Sequence, residues 1–403
     1  MNFKFTKEEE ALKKEVATFI KTLMSTELKD WKGSPDGRPS CEEDWSLYRK
    51  YKQLLGKKGW LTMSWPKEYG GLERPITEQA ILNEEIAYQR APFVGQEATF
   101  IGPTILACGT EEQKKEYLLN ISRGLINTCQ GFSEPNAGTD LASVRTHAIE
   151  NEDHFLINGE KVFTSWADKA DYCLLVVRTD EKVAKHKGIS LFIVDMKTPG
   201  ISIHLYMCLH GFVVLTHTYW DDVRVPKKNL LGGEKNRGWE QISTCLNFER
   251  SVGGELGGGS VAVGQHRRQI DEMIEYANIC EINGKLLVED PIFQRKIAEL
   301  MVEFEVSRLL TYNLIYKRWK GEPFEFEASI AKLFGSEFKQ RLVDTSLQFL
   351  GPYGQLQNGS KWVQLDGSME YHFRAARSAT IGGGTSEIQR FLIATRDFKL
   401  PRK

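Results

Sequence analysis

Behind Thr6 and Glu9, a hydroxyl and a carboxylate three residues apart that make a capping box, apolar residues recur at Leu12, Val16, Phe19, Ile20 and Leu23. That spacing predicts an amphipathic helix at the start of the chain. Residues 25–45 are polar and hold Gly33, Pro35, Gly37 and Pro39, which predicts a surface loop before a helix carrying Trp45, Tyr48, Tyr51 and Leu55. Helical patterns follow at about 76–90 and 111–121. From about residue 129 the period changes. Phe155 to Val162 has Asn158-Gly159 at its middle, a strong two-residue hairpin signal, and 172–178, 188–196 and 200–206 are rich in β-branched residues and read as strands. The run from Trp220 to Pro226 closes this β-rich stretch. Beyond Gly238 helical spacing returns: Asp290-Pro291 supplies an N-cap and an N1 proline ahead of Ile297, Leu300, Phe304 and Leu309. A further helix runs from about Pro323 and stops before Gly351-Pro352. The order predicts an α+β chain with an N-terminal helical domain (1–128), a middle β-domain (129–235) and a C-terminal helical bundle (236–403).

Composition narrows the function classes. A net charge of -1 over 403 residues offers no excess that would draw the chain to nucleic acid or lipid. Uncharged apolar stretches such as Ile189 to Val194 are far shorter than the ~20 residues of a membrane span. The opening residues lack the apolar core of a secretion signal, and seven cysteines are scattered without a Cys-x-x-Cys pair. Both features lead us to expect reduced thiols, a cytoplasmic location and no metal site.

The chemistry concentrates in a few blocks. Gln130 to Asp140 contains Phe132, Ser133, Glu134, Pro135, Asn136, Gly138 and Thr139, small and turn-forming residues that alone could be an ordinary loop. Three further blocks follow in order: Lys161-Val162-Phe163-Thr164-Ser165, Phe248-Glu249-Arg250, and Gly383-Gly384-Thr385-Ser386-Glu387 running on to Arg390. With Trp65 to Gly71 and Leu350 to Gly354, these six blocks resemble the acyl-CoA dehydrogenases along essentially the whole chain. The resemblance implies that family's three-part fold with a C-terminal four-helix bundle, a homotetramer, an FAD cofactor, an acyl-CoA substrate and an electron-transferring flavoprotein as acceptor. It implies that Phe132, Ser133 and Thr139 face the flavin and the thioester, that Phe163 packs on the ring, and that Ser165 hydrogen-bonds near it. Gln348, Gly351, Thr385 and Glu387 match places that hold the dinucleotide, while Arg250 and Gly383 match places near the substrate.

Two departures from the family pattern bear on mechanism. Many members carry a glutamate just before the terminal Gly-Thr-Ser, where this chain has Gly383; Phe248-Glu249-Arg250 matches the alternative of the isovaleryl and long-chain branches, making Glu249 the expected base. On its own a Glu-Arg pair on a helix is more often solvated. The segment Cys280 to Lys285 lacks the Arg and Phe that reach a neighbouring subunit's FAD in typical members. Gly253, Gly254, Gly257, Gly258 and Gly259 would weaken an exposed helix, so close packing is expected of them. Gln96 and Glu97 match the turn that floors the acyl pocket. Polar groups there suggest a short, cyclic, aromatic or carboxylated acyl group, with Glu97 as a substrate determinant or second acid, unless that helix face simply points outward. The rival functions are a flavin monooxygenase or oxidase on the same fold and a non-catalytic assembly protein.

Overall fold

A computed structural model describes residues 4–251, 259–322, 324 and 326–401. Its helices are α1 (Lys7–Ser25), α2 (Glu42–Lys57), α3 (Ile76–Tyr88), α4 (Gly102–Cys108), α5 (Glu111–Ser122), α6 (Gly238–Ser251), α7 (Ser260–Ala277), α8 (Pro291–Lys320), α9 (Glu327–Leu350), α10 (Ser368–Ala379) and α11 (Ser386–Arg396). Its strands are β1 (Thr128–Gly131), β2 (His147–Glu150), β3 (His154–Ser165), β4 (Tyr172–Arg178), β5 (Ile189–Asp195), β6 (Ile201–Met207), β7 (Val213–Pro226) and the short pair β8 (Glu281–Ile282) and β9 (Lys285–Leu286). The predicted caps form: Thr6 and Glu9 close the box on α1, and the Asp290 carboxylate accepts from the Ile292 N–H at 2.7 Å ahead of Pro291. The chain packs as two compact units, and the helices of the first 128 residues are divided between them.

The first unit comprises Met1–Tyr48, Pro75–Phe93 and Arg250–Lys403. Its core is built on α7, α8 and α9, where Ile270, Met273, Phe293, Phe304, Phe338 and Leu342 are buried together; each such side chain contributes roughly 1.5–3 kcal/mol. Gly264 lets α7 approach α3, because a Cβ there would lie 2.1 Å from the Glu84 carbonyl oxygen. Of the five glycines noted above, Gly259 is the N-cap residue of α7, and Gly253, Gly254, Gly257 and Gly258 lie outside the described residues, as does Pro323.

This unit also buries two imidazoles. His266 packs its ring against Phe338 at 5.2 Å, and neither of its nitrogens has a hydrogen-bond partner among the described residues. Burial, with the Lys339 ammonium adding to it, holds its pKa down at about 3. His372 is likewise pushed well below the ordinary value by burial and by Lys339, with Arg90 and His266 adding and Asp36 opposing. Both therefore stay neutral in the folded chain while the unfolded chain takes up protons below about pH 6.5. Stability should fall as pH falls from about 6.5 towards the folded values, by about 1.4 kcal/mol for each imidazole between pH 7.5 and 5.5. Denaturant unfolding at the two pH values checks this, and His266→Leu should remove one share; an unaltered drop in that variant would assign the acid sensitivity elsewhere.

The second unit comprises Arg49–Arg74 and Val94–Glu249. Its seven-stranded sheet runs β1-β4-β2-β3-β7-β6, with β5 also paired to β4. Pairing is antiparallel except for β1 with β4 and a single β2–β4 contact. Phe155 and Phe192 meet edge-on at 4.9 Å in a core shared with Val177, Trp220 and Val223. The hairpin expected at Asn158-Gly159 does not form: β3 runs through it unbroken. Gly159 instead marks an irregularity in the pairing with β7, at φ 147°, where Thr146 presses so close that a Cβ would lie 2.5 Å from its hydroxyl. Asn158 is spent on Asp222, exchanging two hydrogen bonds with it at 2.9 and 3.0 Å.

Candidate active site

In the second unit, β3 begins as an alternating strand with Phe155 and Ile157 inward and ends on a bulge. Lys161 pairs with Thr218 and Thr164 with Thr216, so three steps on β3 face two on β7. The extra residue reverses the alternation: Lys161 and Thr164 are both fully buried, and Phe163 between them is turned out, 62% exposed at φ 58°. A left-handed backbone and a bare phenyl ring are each unfavourable locally, and they coincide at one residue. Ser133 is brought alongside, because its carbonyl accepts from the Val162 N–H at 2.9 Å. Among the described residues nothing hydrogen-bonds the hydroxyls of Ser133, Thr139 or Ser165, and the place where Gly138 would carry a Cβ is open space.

Behind this surface sits an ion pair that sequence reasoning missed. The fully buried Lys161 ammonium donates to Glu134 Oε1 at 2.8 Å and to the Phe132 carbonyl at 3.1 Å. Glu134 also accepts from the N–H groups of Arg145 at 2.6 Å and Thr146 at 2.9 Å. Burial alone would push the Glu134 carboxyl up, but Lys161 and those donors outweigh it and hold it below the usual range. Burial pushes Lys161 down to about 8 against the pull of Glu134. The signal was present in the alternation: position 161 has the inward parity of 155 and 157.

Glu249 lies half-buried near the end of α6, four residues after the buried Cys245 on the same helix. Burial pushes the Cys245 thiol up, with a hydrogen bond to Thr104 opposing and the Glu249 charge adding to the rise. Glu97 is neither an outward-facing residue nor a free acid. It is 2% exposed, begins a π-helical turn (Glu97–Ile101), and receives the Lys52 ammonium at 2.5 Å. A carboxylate so held is tied into the fold through Lys52 rather than turned to solvent.

The first unit carries the remaining residues. Gly383 and Gly384 have φ of 65° and 92°, and their carbonyls are tied down: Arg250 and Gln389 donate to Gly383, Lys332 and Gln389 to Gly384, at 2.7 to 3.4 Å. Arg250 is thereby placed on the glycine loop. Thr385 caps α11 by accepting from the Ile388 N–H at 3.3 Å, and with Glu387 it lines an open cleft of about 500 Å³ that also holds Arg341 and Arg390. Gln348 and Gly351, exposed at the end of α9, are not among the residues lining it. The segment from Cys280 to Leu286 folds as the β8–β9 hairpin, with Asn283 and Gly284 both left-handed at its turn.

Three domain models of one family match the chain: the acyl-CoA dehydrogenase N-terminal domain over residues 6–124, the middle domain over 129–212 and the C-terminal domain over 236–397. The acyl-CoA dehydrogenase FadE26 of Mycobacterium tuberculosis is 34% identical over 409 aligned residues, which cover 100% of this chain and 99% of that protein. Among solved structures, the Tcur3481-Tcur3483 steroid ACAD superposes with a TM-score of 0.89 at 33% identity over 100% of both chains. The ChsE4-ChsE5 complex from Mycobacterium tuberculosis does so with a TM-score of 0.88 at 34% identity, again over 100% of each.

Proposed function

The chain belongs to the acyl-CoA dehydrogenase family, whose members depend on flavin, and we propose that it binds FAD and uses Glu249 as base to dehydrogenate a CoA thioester between its α and β carbons. The exposed Phe163 on its bulge carries the flavin assignment. A ring turned out at a left-handed residue, beside the unspent hydroxyls of Ser133, Thr139 and Ser165, suits a flat heterocycle with hydrogen-bonding edges. Bound FAD would supply the two-electron acceptor for the β-hydride. Phe163 would cover the ring, Ser165 and Ser133 would offer hydrogen bonds to its polar edge, and Thr139 would serve the same surface. The Lys161–Glu134 pair keeps that surface rigid from behind. Glu249 takes the α-proton, and an N–H near Gly383 holds the thioester oxygen as negative charge develops on it. Gln348, Gly351, Thr385 and Glu387 are assigned to the dinucleotide.

A flavin monooxygenase needs no carboxylate base for an α-proton, so Glu249 favours the dehydrogenase. The test is anaerobic mixing with saturated straight, branched and cyclic acyl-CoA esters. The yellow protein should bleach with at least one thioester without oxygen and release FAD on denaturation. Bleaching by none, or turnover that requires oxygen, overturns the assignment. One relative is named a steroid ACAD, so cyclic acyl groups are the class to try first, and an electron-transferring flavoprotein is the expected acceptor.

Assembly has two readings. Resemblance implies a homotetramer, and exposed Ile292, Val302, Val306, Tyr316 and Trp319 on α8 provide apolar surface for a partner. The β8–β9 hairpin without its Arg, together with a similar structure named as a complex of ChsE4 with ChsE5, favours pairing with a second, different chain. Light scattering of the purified chain separates them: a tetramer's mass supports the first, and the 46.0 kDa of one chain supports the second.

A further inference from the structure

Lys52 lies on α2 with 0% of its surface exposed. Its ammonium donates to Glu97 Oε1 at 2.5 Å, to the Ile126 carbonyl at 3.2 Å and to the Asn127 side-chain oxygen. All of these groups belong to the second unit. Gly124 makes the arrangement possible: it is left-handed at φ 70° and runs so close to α2 that a Cβ would lie 2.6 Å from the Lys52 carbonyl carbon. The acceptors come from two places that matter separately. Glu97 opens the π-helical turn, a form that recurs at functional sites and has no strong intrinsic stability of its own. Ile126 and Asn127 are the root of β1, which runs directly into Phe132 and Ser133. A second tie reinforces the first, since the Gln96 amide donates to the Thr128 carbonyl at 2.6 Å. On the far side Asn127 is fixed to Asp171, its N–H donating to that carboxylate at 2.8 Å.

We propose that Lys52 is a positioning residue of the reaction: its buried ammonium locks the turn that floors the acyl pocket to the root of the strand that carries the flavin wall, and so sets which acyl groups fit between them. The proposal rests on the dehydrogenase assignment and on the match of Gln96 and Glu97 to the pocket floor. Lys52 touches neither substrate nor cofactor and acts through Glu97 and Asn127. A buried charge pair is a poor source of stability compared with apolar packing, and its use here is a fixed geometry that apolar contacts, being non-directional, would not impose.

The test separates geometry from stability. Lys52→Met strands the Glu97 carboxylate in the interior and should lower the melting temperature of the holoenzyme. The double variant K52M/E97Q removes both charges at nearly constant volume and should regain wild-type melting and flavin content. Its ranking of the thioester panel should nevertheless flatten, the ratio of kcat/KM between the best and the next larger or smaller acyl group falling by about tenfold, the scale on which apolar pockets discriminate such groups. Glu97→Gln alone keeps an acceptor beside Lys52 and should flatten the ranking less. Wild-type ranking in whichever of K52M/E97Q and E97Q is purified with full flavin content overturns the proposal and leaves the pair a structural one. A wild-type protein reduced by no thioester overturns the assignment beneath it, a result that cannot be confused with the first.

Discussion

Glu249→Gln yields a folded, yellow protein whose flavin is reduced by acyl-CoA at least ~100-fold more slowly, because a positioned general base contributes 10² to 10⁴-fold and the amide cannot accept the proton. The exchange is nearly isosteric on a half-buried residue of α6, so thioester binding and melting temperature should stay close to wild type. Stopped-flow reduction under anaerobic conditions reads the chemical step alone, and full-speed reduction in the variant would remove Glu249 from the mechanism. The resemblance puts the base of many members at the place occupied here by Gly383. If positions 249 and 383 serve the same α-carbon, Gly383→Glu in the Glu249→Gln background restores part of the rate, and an absence of restoration would separate the two positions. Restoration stays partial for a structural reason: position 383 is left-handed at φ 65°, where a side chain costs about 1–2 kcal/mol. The loop's carbonyl is also pinned by Arg250 and Gln389 and cannot easily relax.

Lys161→Met, a change in the buried pair behind the surface we assign to the flavin, should be strongly destabilising. It leaves the Glu134 carboxylate, 7% exposed, with backbone donors but no counter-charge, and breaking a buried pair from one side costs about 3–5 kcal/mol. It also releases the Phe132 carbonyl, so the loop that carries Ser133 loses one of its anchors, with Val162 still holding the Ser133 carbonyl, and the protein should be isolated with less flavin. Lys161→Met with Glu134→Gln removes both charges and should recover most of the melting temperature while flavin content recovers less. Melting curves and the ratio of flavin to protein absorbance measure the two effects independently. If Lys161→Met melted like wild type with its flavin intact, the pair would have no role in holding the surface.

Local pattern determined much of this protein. The capping box at Thr6 and Glu9, the Asp290-Pro291 helix start, and the change of period near residue 129 depend on neighbours within a few residues, and all appear in the structure. The six blocks of resemblance identified the family, and with it the residues to inspect. The partners of buried charges were not legible. Alternation along the strand gave Lys161 an inward parity, and nothing local marked Lys52, but their acceptors are 27 and 45 residues away in the chain, at Glu134 and Glu97. The direction of Phe163 was equally hidden: strict alternation from Lys161 would turn it inward, and only the bulge against β7 turns it out. The dipeptide Asn-Gly makes the same point twice over. At Asn283-Gly284 it sits at the tip of a short exposed pair, both residues adopt left-handed backbone, and a hairpin forms. At Asn158-Gly159 the same letters lie in a strand flanked by β2 and β7, with Thr146 against the glycine and Asp222 holding the asparagine. Sequence sets what a segment can do at little local cost. Which of those options is taken depends on the hydrogen bonds and close contacts that distant segments bring to it, and these exist only once the chain has folded.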